Sequence, residues 1–173
     1  MCPATLMVVI GRGLAVGLVA ASLGGCVTSN VPLLSNSQAI LIDSIPGDYA
    51  SANGNWRVTL EGRTYRLVDM KSKEDAVISL QKFDDQFTLA QVKGGLSTVA
   101  YHYWLMYVGS TYVLINEIPC NATIKNQAGV QSDADDNSCN LHSDQDVIAI
   151  ARIAAQRYLA DQNAITPVVK IKM

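Results

Sequence analysis

From residue 39 to residue 118 apolar and polar positions alternate in short runs broken by turn residues, the spacing of antiparallel strands. The runs are Ala39 to Asp43, Trp56 to Leu60, Thr64 to Asp69, Ala76 to Phe83, Phe87 to Lys93, Val99 to Val108 and Thr111 to Ile118. Pro46-Gly47, Glu61-Gly62, Asp84-Asp85, Gly94-Gly95 and Gly109-Ser110 fall among them. After residue 143 the period changes. Val147, Ile150, Ala151, Ala154 and Tyr158 recur at helical spacing, with Arg152, Gln156 and Arg157 on the other side. Ser143 can cap this helix, and Asp144 and Asp146 suit the positive end of its dipole. Asn163 and Pro167 end it, and Val169 to Met173 alternates as a last edge strand whose lysines discourage pairing. The pattern predicts an α+β domain over residues 39–173: a twisted antiparallel β-meander of six or seven strands, curled into a partial barrel or opened as a two-sheet sandwich, with one C-terminal helix packed across it.

Composition sharpens this. The chain has 173 residues, enough for one ordinary domain with short appendages. Its mean hydropathy of +0.17 is high for a soluble domain and has a local source, the first 25 residues. These hold one charge, Arg12, followed by an apolar run from Leu14 to Leu23, too short for a bilayer span and suited to an export signal. Without them, twelve basic side chains face fifteen acidic ones, a net charge of −3. That balance leaves no basic surplus for nucleic acid.

The signal closes Leu23-Gly24-Gly25-Cys26. In these four positions the chain resembles bacterial lipoprotein precursors, whose signals end in an apolar residue, two small residues and a cysteine. The resemblance covers residues 12 to 28. It implies lipid on the Cys26 thiol, cleavage before Cys26 and N-acylation of the new terminus, which together make an essentially permanent anchor. Residue 28 is Thr, whereas an Asp close after the cysteine retains family members at the inner membrane, so delivery to the outer membrane, facing the periplasm, is expected. Residues 1–25 then form the signal peptide, and the Ser/Asn-rich stretch 26–38 a lipidated tether.

Cys2 leaves with the signal and Cys26 is taken by lipid. Cys120 and Cys139 are left as a pair in an oxidising compartment, and a disulfide is expected between them. Metal-ligand spacing is absent from the two cysteines and two histidines. Asp133, Asp135, Asn137 and Asp144 partly mimic a calcium loop, but Ser138 stands where the sharp turn needs glycine, so a solvated acidic loop is expected and no metal. Asn121-Ala-Thr123 has the form of a glycosylation acceptor, which the bacterial address makes irrelevant.

Taking Gly109-Ser110 as a two-residue turn pairs Tyr107 with Tyr112, Leu105 with Leu114, Tyr103 with Asn116 and Tyr101 with Ile118. The opposite face pairs Met106 with Val113, Trp104 with Ile115 and His102 with Glu117. Tyr101, Tyr103, Tyr107, Tyr112 and Asn116 are a candidate binding face, because phenols give contact area at low entropy cost; equally, they can simply pack. A carboxylate beside His102 would orient it and raise its pKa as a general base, yet no nucleophile accompanies it and a cross-strand ion pair is the plainer reading. Neither a catalytic set nor a cofactor site is predicted. The sequence itself names no substrate. It leads to a lipid-anchored, non-enzymatic envelope lipoprotein that binds a protein or envelope component. The rivals are a small-ligand carrier with a partly closed barrel and an enzyme using His102 and Glu117.

Overall fold

The computed structural model describes residues 25–51, 54–94, 97–109, 112–131, 139–160 and 166–171. Seven consecutive strands form the meander: β2 (Gly47–Ser51), β3 (Gly54–Glu61), β4 (Thr64–Asp69), β5 (Asp75–Lys82), β6 (Thr88–Gly94), β7 (Ser97–Val108) and β8 (Tyr112–Glu117), numbered after β1 (Gly25–Ser29). Each pairs antiparallel with the next. The chain then leaves the sheet through β9 (Pro119–Cys120), α1 (Ala122–Ala128), β10 (Cys139–Asn140) and α2 (Asp144–Ala160), and returns as β11 (Thr166–Ile171). β11 lies between β8 and β2, antiparallel to both. The edge strand expected at the C-terminus is therefore an interior one. Its pairings close an eight-stranded ring from β2 through β8, in which no member is left with a free edge.

Following paired positions once round this ring returns to β5 displaced by about twelve residues, against a shear of eight in packed (β/α)8 barrels. A larger stagger tilts the strands and widens the barrel. Inward-facing Tyr49, Val58, Tyr65, Ile78, Leu80, Ala90, Val92, Met106 and Val113 make one buried cluster. Residues 39 to 43, expected as a strand, instead plug one end together with Ile45. The Ile40 N–H donates to Leu80 C=O at 2.8 Å, the Ile42 N–H to Tyr65 Oη at 2.6 Å, and the Tyr49 hydroxyl donates to Ile45 C=O.

Burial, with the neighbouring Tyr65 adding to it, pushes the Tyr49 phenol up to about 12. Below pH 10 both folded and unfolded chains keep this proton. Between pH 10 and 12 the unfolded chain releases it while the folded one does not, so stability falls by about 2–3 kcal/mol across that window. Denaturant midpoints should show this loss in the wild-type protein and lack it in Tyr49→Phe.

A second core lies outside the barrel, where α1 and α2 cover β6 and β7. Ser143 Oγ accepts the Asp146 N–H at 3.1 Å, the expected cap, and Val147, Ile150, Ala151, Ala154 and Ala155 are buried. They meet Leu89, Tyr103, Leu105 and Ile118. α1 was hidden in the sequence. Its cap is Asn121, whose side chain accepts the Ile124 N–H at 3.0 Å.

The stretch read as a free tether belongs to this layer. Val27 and Ser29 are buried in β1, which pairs with β9, β10 and β7. Beyond it the Leu33 and Leu34 N–H groups donate to Gln91 Oε1 at 2.8 and 3.0 Å. Burying Val27, Leu34 and part of Leu33 and pairing the backbone outweighs the freedom of a Ser/Asn-rich segment.

Candidate binding site

The hairpin register differs from the sequence expectation by two residues. Val108 faces Val113, Tyr107 faces Leu114, Leu105 faces Asn116 and Trp104 faces Glu117. Four residues rather than two separate the last mutual pair, Val108 and Val113, and an even shift keeps every residue on its predicted face while changing all partners. Glu117 therefore does not oppose His102, whose neighbours across the sheet are Val92 and Thr28. Burial holds the His102 imidazole below its ordinary value, opposite to what the proposed carboxylate partner would do.

The tyrosine face points away from the barrel interior, into the helical layer. Tyr103 is 1% exposed, sharing a hydrogen bond with Ser29 Oγ at 2.7 Å and accepting the Leu33 N–H at 3.3 Å. Tyr101 is half-buried with Lys93 Nζ 5.2 Å from its ring centre. Asn116 is buried and its Nδ2 has no partner among the described residues. Tyr107 alone of the three tyrosines whose side chains are described reaches substantial exposure. The side chains of Cys26, Tyr112 and Glu117, and the acidic loop at Asp133, Asp135 and Asn137, lie outside the described residues. Cys120 and Cys139 form the expected disulfide. Among the described residues no three His, Cys, Asp or Glu side chains converge.

A different group of residues comes together inside the ring. At the plugged end the inward side chains of Tyr65, Leu80 and Val113 are buried. Towards the other end, the register brings Trp56, Leu67, Trp104 and Ile115 to a similar height on four separate strands. All four face inward and touch the barrel cluster, yet all remain half-exposed. They form the floor of an aromatic cup. Val92 and Ala76 stand above them as walls, and Asp69 and His102 at the rim. The Asp69 carboxylate is held below its usual range by the Ser72 and Lys71 N–H groups, which donate to Oδ1 at 2.8 and 2.7 Å.

An eight-stranded barrel either fills its interior with side chains or holds one small ligand. Here the plugged half is filled with buried side chains, whereas towards the other end Trp56, Leu67, Trp104 and Ile115 stay partly exposed beside buried Val92 and Ala76. Sequence reasoning put Trp104 and Ile115 on one face but paired them only with each other. Trp56 and Leu67 join them because of closure through β11, which no short-range pattern encodes. No family model, curated protein or solved structure matches this chain.

Proposed function

We propose that this chain is a lipid-anchored, non-enzymatic lipoprotein of the bacterial envelope, delivered to the outer membrane and facing the periplasm, whose barrel binds a small, mainly apolar molecule through its unplugged end. The half-exposed layer of Trp56, Leu67, Trp104 and Ile115 inside a wide ring is what favours ligand binding over partner binding through the tyrosine hairpin. That hairpin buries Tyr103 and packs Tyr101 against the second core, outside the barrel. Apolar walls with a few polar groups at the rim suit a ligand with one hydrophobic and one polar end. The address rests on Leu23-Gly24-Gly25-Cys26.

The chain's two tryptophans both line the cup, so intrinsic emission reports directly on it. Titrating the purified protein with a bromine-labelled fatty acid should quench that emission saturably, with a fluorescence loss that an unlabelled fatty acid competes away. Quenching that rises linearly and resists competition would contradict the proposal.

A further inference from the structure

Resting on that reading of anchor and cup, we propose that the molecule taken up is an acyl chain of a phospholipid in the same leaflet that holds the Cys26 anchor. Two placements carry this. The first is the missing tether. Thirteen extended residues would let the barrel stand up to about 45 Å from the bilayer. Instead the chain enters the body at once: Cys26 pairs with Pro119, Val27 with Cys139 and Thr28 with Asn140, and Val27 is 1% exposed. Cleavage before Cys26 removes the Gly25 to Cys120 pairing and keeps these three. The Leu141 N–H also donates to Thr28 C=O at 2.8 Å, and Thr28 Oγ1 to Cys139 C=O at 3.2 Å.

The second is proximity of anchor and cup. Thr28 is the direct sheet neighbour of His102, at the cup's rim. Two residues of strand span roughly 7 Å and a paired neighbour adds about 5 Å, so the Cys26 backbone lies within about 12 Å of the rim. A lipid held at Cys26 therefore brings the mouth of the barrel to the headgroup layer, where the apolar molecules in greatest supply are acyl chains.

The test uses the full lipidated protein in phosphatidylethanolamine/phosphatidylglycerol vesicles containing phospholipid brominated along its acyl chains. Emission of the two tryptophans should be quenched. A variant with a flexible twelve-residue Gly/Ser insert between Cys26 and Val27 should recover most of it. Unquenched anchored protein, alongside quenching by brominated fatty acid in water, overturns the inference and leaves the cup intact. Equal quenching of the spacer variant also overturns it. No quenching in either setting removes the cup itself, and an unmodified Cys26 in the mass spectrum of the N-terminal peptide removes the anchor; each takes the inference with it.

Discussion

Gly94→Ala should destabilise the protein by about 3 kcal/mol, the largest effect expected of so small a change. Gly94 ends β6 at a register shift, with φ at +114°, a conformation that L side chains rarely adopt. A methyl group there would meet Asp75 C=O at 2.6 Å and Ala76 Cα at 2.9 Å, both backbone atoms that cannot turn aside. Strain and overpacking therefore add. Because Gly94 lies beside Ala76 at the upper end of the cup, relief by backbone movement would also distort the mouth. Urea unfolding of the variant measures this directly, and a loss below 1 kcal/mol would mean that the bulge is not built as described.

The second large effect concerns the disulfide. Replacing both Cys120 and Cys139 by serine should cost about 3 kcal/mol, since the bridge closes a loop with a sequence separation of 19. The local consequence is more informative. Both cysteines are fully buried beside Val27, and the strands that carry them are the partners of β1 at Cys26 to Thr28. Amide exchange in the double variant should accelerate at residues 26–28, 120 and 139–141. Strands β3 to β6, held by their own ladders, should keep their protection, while Leu33 and Leu34 stay fixed by Gln91. Uniform acceleration across the barrel would instead mean that the bridge supports the whole fold.

Those two sites also mark where the sequence was legible. Local patterns sufficed for the meander: alternation located β3 to β8 to within a few residues, and helical period with a Ser143 cap located α2. The Cys120–Cys139 bridge followed from counting thiols by compartment. What stayed hidden was non-local. Residues Gly47 to Ser51 are too short and polar to read as a strand, and become one because Tyr49 fills the barrel between β3 and β11. β11 looked like an edge because nothing within five residues records that its neighbours are β8 and β2. The Ser/Asn-rich stretch 26–38 reads as a tether by composition, yet two leucine amides and one glutamine settle it on the sheet. For the site, parity correctly separated the faces of β7, but chemistry drew attention to the tyrosine face, which the helices cover. The cup required closure of the ring, and so four positions far apart in sequence.

Methyl-resolved NMR of the ligand-bound protein tests the cup most directly. On adding a saturating fatty acid, the methyl resonances of Leu67 and Ile115, the indole signals of Trp56 and Trp104 and the ring protons of His102 should shift. Those of Leu105, Ile118 and Ile150, buried under the helices, should stay in place. Shifts confined to the helical layer, or none at all, would contradict the assignment of the barrel interior as the binding site.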